Sequence, residues 1–201
     1  MANSVVDGRW TVDPNGMRRI AKRLSPVLLL ACVALALPAS SFAAGPCPGA
    51  ESVPRAGNVA SVKKATLCLL NRERTGRGLN KLTSDGQLGK AAQNFSARMV
   101  RQRFFDHVCP GGSTLNSRVR GTSYLDGPVR GWSLGENIAW GAGTRATPAS
   151  IVRSWMNSAG HRRNILDGRF RHIGIGIATG APRDVQDQPA GTYTTDFGSR
   201  T

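Results

Sequence analysis

From Arg171 to Ile177 the chain alternates without a break: Ile173, Ile175 and Ile177 fall on one side, and His172, Gly174 and Gly176 on the other. A period of two over such a run is a β-strand, and its β-branched face is built for burial. The opposite face carries almost no side-chain volume, so another element can pack closely against the sheet there. No helix-opening pattern follows Gly174-x-Gly176-x-x-x-Gly180, which separates this stretch from a phosphate loop. His172, on the glycine side, is expected to be a hydrogen-bonded structural histidine.

Thr192 to Phe197 reads as a second strand, joined to the first by a polar, Pro-containing connection over 179–191. Glu136 to Trp140 is a third, with Glu136, Ile138 and Trp140 on one face and Asn137 and Ala139 on the other. Helical spacing starts at Val59 and continues through Val62, Thr66, Leu69 and Leu70, closing before Gly76 and Gly78. Ser84-Asp85 caps a second helix with Leu88, Ala91, Ala92, Phe95 and Met99 inward, running out near Phe104-Phe105. Residues 109–134 lack a sustained period and are expected to form a long loop with one helical turn around Leu115 to Val119. Thr147-Pro148 opens another helix whose buried face is Ile151, Val152 and Trp155. Gly160 is suited to end it, which places His161 at a helix C-terminus. Helices gathered before two closing strands define an α+β layered domain rather than a βαβ repeat.

The first 44 residues have the character of a leader, not of fold. Met17 to Arg23 is basic, Val27 to Leu37 is apolar, and Pro38 to Ala44 ends in small residues, the pattern of a secretory signal peptide cut after Ala43 or Ala44. Met17 is then the expected initiator. The apolar run is short for a spanning helix of about 20 residues, so no permanent transmembrane anchor is expected. Five apolar residues follow Cys32, which argues against a lipidated cysteine there. Residues 45–58 form a Pro/Gly-rich arm, and 59–201 a single domain.

Five of the 27 basic and two of the 12 acidic residues precede residue 45, so the exported domain keeps a formal charge of +12. Such a field favours anionic partners, which outside a cell means a cell-wall polymer, an acidic lipid or extracellular nucleic acid. No compact Lys/Arg cluster interleaved with aromatics is present, which excludes a dedicated nucleic-acid module. Export also places Cys47, Cys68 and Cys109 in an oxidising setting. A Cys47–Cys68 bridge would tie the arm to the first helix and contribute on the order of 3 kcal/mol. Cys109 is then left over, either as a small buried residue or as a soft ligand near His107.

His107, Glu136 and His161 are the residues with chemistry to offer. Two imidazoles and one carboxylate suit a divalent metal with an open position, or general acid/base work. The histidines are 54 positions apart, so no local motif sets their geometry.

The order of the segments around them is informative. Phe105-Asp106-His107, Gly135-Glu136-Asn137-Ile138-Ala139, Trp155-x-x-Ser158-x-Gly160-His161-Arg162-x-Asn164-Ile165-Leu166 and Ile173-Gly174-Ile175-Gly176 resemble, in this order, the motifs of bacterial members of the CAP superfamily. That superfamily, also called the SCP domain, includes cysteine-rich secretory, antigen-five and pathogenesis-related proteins. Leu67-Cys68-Leu69-Leu70-Asn71-x-x-Arg74 resembles its opening helix, and Tyr193 to Gly198 its last strand.

The resemblance implies an α-β-α sandwich with a central antiparallel sheet between helical layers and a surface cleft. It implies a cleft lined by His107, Glu136, Ser158 and His161, of which His107, Glu136 and His161 would hold zinc or another divalent cation. Ser158 stands where much of the family has a second glutamate, which lowers the negative charge available to a cation. On this basis the chain is expected to be a secreted, monomeric, non-catalytic binding domain for a divalent metal or small ligand. An extracellular peptidase-like hydrolase and a lipid or sterol carrier are the alternatives.

Overall fold

The computed structural model describes residues 46–201, and the expected leader with Cys32 lies outside them. Chain order is α1 (Val59–Thr75), β1 (Thr83–Ser84), α2 (Gly86–Arg101), α3 (Leu115–Arg120), β2 (Trp132–Ala142), α4 (Pro148–Asn157), α5 (Ala159–Leu166), β3 (His172–Thr179) and β4 (Ala190–Arg200). The four strands form one sheet in the order β1-β3-β4-β2. Both long pairings are antiparallel, while the two-residue β1 lies parallel to β3. Helices cover both faces, giving an α-β-α sandwich.

The alternation in β3 decides the layering. Ile173, Ile175 and Ile177 join Tyr193 and Phe197 of β4 in a core closed by Val62 and Leu70 of α1 and by Ile151, Val152 and Trp155 of α4. The other face receives α2. A Cβ at Gly174 would collide with the backbone of Leu88 and Gly89, and one at Gly176 with that of Ala92. The glycines let a helix backbone rest directly on the sheet, and Ser96 of α2 then donates to the Gly176 carbonyl at 3.1 Å.

Asp85 caps α2 by accepting from the Gln87 and Leu88 amides, and Thr147 caps α4 by accepting from Ser150, with Pro148 in its first turn. The 109–134 stretch is more ordered than its lack of period implies. Thr114 and Ser117 form a reciprocal capping box that starts α3, and a 3-10 turn at Ser123–Leu125 follows. The arm is joined to α1 by a Cys47–Cys68 disulfide, and it pins α4 through the Ala149 amide, which donates to the Ala50 carbonyl.

Asn71 and Arg74 prove to be structural. Asn71 bonds both backbone groups of Leu82. Arg74 is fully buried and donates to the carbonyls of Asn80, Ile165, Asp167 and Phe170, satisfying the end of α5 and the turn after it. His172, as expected, is a satisfied structural residue, with Nδ1 3.0 Å from the Tyr124 hydroxyl. Among the described residues no helix is long and apolar enough to cross a membrane.

Candidate ligand cleft

The strand β2 is an edge strand, and its free edge organises the cleft. Its outward carbonyls are met by side chains from the helical layer: Asn164 Nδ2 donates to Glu136 O at 3.1 Å and Trp155 Nε1 to Ile138 O at 3.2 Å. Asn137 Nδ2 donates to the His161 carbonyl and accepts from Asn164, so α5 is locked to the strand. These bonds blunt an exposed edge and hold His161 in place.

Alternation turns Glu136 and Ile138 toward the α2 side of the sheet. There Glu136 is 1% exposed, with Oε1 2.7 Å from His107 Nδ1 and Oε2 accepting from Arg118 at 2.6 Å. Arg118 also donates to the His107 carbonyl at 3.0 Å and stacks 3.5 Å above the Phe95 ring. His107 is therefore fixed at its ring by Glu136 and at its backbone by Arg118. The carboxylate, with both oxygens engaged, orients the imidazole rather than offering itself to a ligand. A cavity of about 320 Å3 opens beside this group, walled by Leu115, Leu134 and the exposed Val108 and Trp132.

His161 comes from the other layer. It lies in the first turn of α5, not at the end of α4, because the chain extends at Ser158 (φ −102°, ψ 121°) and at once begins a new helix. The C-terminal placement expected from Gly160 is corrected accordingly. Both ring nitrogens of His161 are buried without a hydrogen-bond partner. Burial, reinforced by the charge of His107, pushes its pKa down to about 4, so the ring is neutral at physiological pH. It lines a second cavity with Phe105, Ile138, Trp140, Ser154 and Trp155.

Ser158 is the junction between α4 and α5, half-buried, and its side chain makes no capping bond. It does not line either of these cavities. Because His161 has no partnered ring nitrogen, no serine–histidine pair is assembled on it. Cys109 is a buried free thiol packed with Phe95, Met99 and Ile138, accepting from Arg98 at 3.4 Å. Among the described residues no group of three His, Cys, Asp or Glu side chains is arranged to hold a metal ion.

Two residues of the cleft escape the sequence reading. Arg118 sits in a stretch without period, where only the Thr114-x-x-Ser117 cap signals order. Asp196 is hidden in a strand whose two faces are both covered, so alternation does not mark it as buried. It stands opposite Glu136 in the ladder, fully buried, and neither carboxyl oxygen accepts from a donor of the fold; its protonated carboxyl bonds to Glu136 instead. Burial first, then the neighbouring Glu136, raises its pKa well above the ordinary carboxylate range, with Arg118 opposing.

A four-stranded sheet covered by helices on both faces is the fold of SCP-domain proteins. The chain belongs to the CAP family, the cysteine-rich secretory protein family, whose model matches residues 67–195. It is 40% identical over 121 residues to the uncharacterised protein YkwD of Bacillus subtilis, covering 59% of this chain and 43% of that one. It is 31% identical over 115 residues to the uncharacterised membrane protein YlbC of the same organism, covering 57% and 31%. The chain thus spans less than half the length of these curated relatives. An extracellular protein of Bacillus anthracis containing a SCP domain matches at TM-score 0.52 and 27% identity, covering 69% of this chain and 43% of that one. An outer surface protein of Borrelia burgdorferi gives the same TM-score at 20% identity, covering 69% and 92%, and supports the fold alone.

Proposed function

We propose that this CAP domain is an exported, non-catalytic binding module whose cleft takes a divalent cation through the imidazoles of His107 and His161. The observation that carries the reading is His161, whose two ring nitrogens are buried without a partner. An orphaned neutral imidazole in a closed site is a metal donor in the protonation state that binding requires. His107 supplies the second imidazole, with Glu136 and Arg118 behind it as the orienting pair. Glu136 thereby passes from the ligand set to its support, and two protein donors hold a cation more weakly than the three expected from sequence. A cation so held offers open positions to an oxygen donor of a further small ligand.

Export rests on the leader pattern before residue 45 and on the extracellular relative. The formal charge of +12 beyond residue 44 adds an attraction for anionic cell-wall polymers or lipid surfaces. Neither the hydrolase nor the lipid-carrier alternative has an observation of equal weight.

Equilibrium dialysis of the purified exported chain against zinc at neutral pH tests the reading. Saturable uptake of one equivalent is expected in the wild type, with loss in the His107→Ala/His161→Ala double variant. Absence of saturable uptake, or uptake unchanged in that variant, overturns it.

A further inference from the structure

Along β2 the residues on one face meet different surroundings in turn. Leu134 and Glu136 line the cavity beside His107, Ile138 the one beside His161, and Trp140 both the latter and a third. That third cavity, of about 640 Å3, is formed by the end of β2, by Arg145 in the 3-10 turn after it, and by Asp184, Val185, Gln186 and Gln188 in the β3–β4 connection. It shares no residue with the pair His107 and His161.

Its composition is unlike that of a core gap. A half-buried indole forms the wall, and the rim carries two carboxamides, one guanidinium and one carboxylate. Among the described residues no hydrogen bond within the chain engages the side chains of Trp140, Arg145, Gln186 or Gln188. The rim is nonetheless shaped: Gln186 and Asp187 both adopt left-handed backbone conformations (φ 50° and 59°), and the Asp184 carboxylate accepts from the Gln186 amide at 3.0 Å. Two consecutive non-glycine residues in that region are uncommon, and the segment is held by its own bonds, Gln188 N also donating to the Val185 carbonyl.

We propose that this cavity is a saccharide site, binding an uncharged oligosaccharide independently of the cation cleft. A pyranose presents one face of C–H groups and an equatorial belt of hydroxyls, each both donor and acceptor. An indole wall matches the first. Carboxamides, which offer acceptor and donors side by side, match the second. Arg145 and Asp184 carry opposite charges, so the lining itself has no net charge with which to pair a phosphate or a carboxylate, and a neutral polyhydroxylated ligand is the best complement. A volume of about 640 Å3 exceeds that of one ring and suits a short oligomer.

The test is an NMR titration of the exported chain with two neutral probes, tetra-N-acetylchitotetraose and maltotetraose. Saturable shifts of the Trp140 indole N–H and of the Gln186 and Gln188 carboxamides are expected for at least one of them, with Kd of about millimolar order. Gln188→Ala should weaken binding by about fivefold or more and Trp140→Ala by about tenfold or more. The Gln188→Ala variant isolates the site, since it touches neither histidine. Its melting temperature and zinc uptake should equal those of the wild type, so failure here is distinguishable from failure of the cation reading. Absence of shifts with both probes, shifts confined to other surfaces, or undiminished binding by Gln188→Ala and Trp140→Ala overturns the proposal.

Discussion

Glu136 and Asp196 face each other directly across the β2–β4 ladder, and both side chains are buried. Two carboxyl groups at cross-strand distance in a dry site do not both ionise without cost. Glu136 has the donors His107 and Arg118 at its oxygens; Asp196 has only Glu136 beside it, and it is Asp196 that stays protonated. One buried acid is thus kept neutral beneath the carboxylate that orients the cleft.

Replacing Asp196 with Asn should stabilise the domain near neutral pH. The native carboxyl holds its proton while the unfolded one releases it, so the wild type loses stability as pH rises above the ordinary carboxylate range. Asn has no proton to lose. A gain is expected near pH 7 that shrinks toward about pH 4, where both states of the wild type hold the proton, measured as the difference between urea unfolding curves. A difference independent of pH would show that Asp196 is ionised in the fold.

His161 acts with the opposite sign. Its folded pKa of about 4 lies below that of the unfolded chain, so the unfolded state gains the proton first and stability falls as pH drops from about 6.5 toward 4. In this window the two residues offset each other. His161→Asn should therefore melt with less acid sensitivity than the wild type, and equal sensitivity would place a charged His161 in the native state.

Glu136→Gln leaves Arg118 without its counter-charge in a site where each side chain is less than a tenth exposed. Breaking one partner of a buried ion pair costs about 3–5 kcal/mol. Chemical denaturation should show a loss of that order, and zinc uptake should weaken because His107 loses its orienting acceptor. A loss below about 1 kcal/mol would mean that Arg118 finds water.

Two glycines predict changes of opposite sign. At Gly176 a methyl group would strike the Ala92 carbonyl, so Gly176→Ala should cost about 3 kcal/mol or more. At Gly89, in α2, the same group meets nothing within 4 Å, and Gly89→Ala should gain about 0.5–1 kcal/mol. Thermal melting of the pair checks both; a tolerated Gly176→Ala would mean that α2 can lift from the sheet.

The long elements were readable because their cause is local. The Ile/Gly alternation of β3, the apolar stripe of α2 and the Thr147-Pro148 start each act over a few residues, and each element formed where its pattern lies. The family motifs were readable too, but much of their content is architectural. Asn71, Arg74, Asn137 and Asn164 satisfy backbone groups of neighbouring elements. The α4–α5 break was not legible, since Gly160 suits a helix end and nothing local marks Ser158 as the point where the chain extends and a new helix begins.

By itself the sequence determined the order of the long elements, the strand faces and the residue types available to the cleft, because propensity, period and capping are short-range. Only the tertiary structure decided what those residues do. It put Arg118 against Glu136, set Asp196 across from it and left His161 without a hydrogen-bond partner. Such roles depend on burial and on neighbours dozens of positions away, and desolvation energies have no counterpart in local pattern.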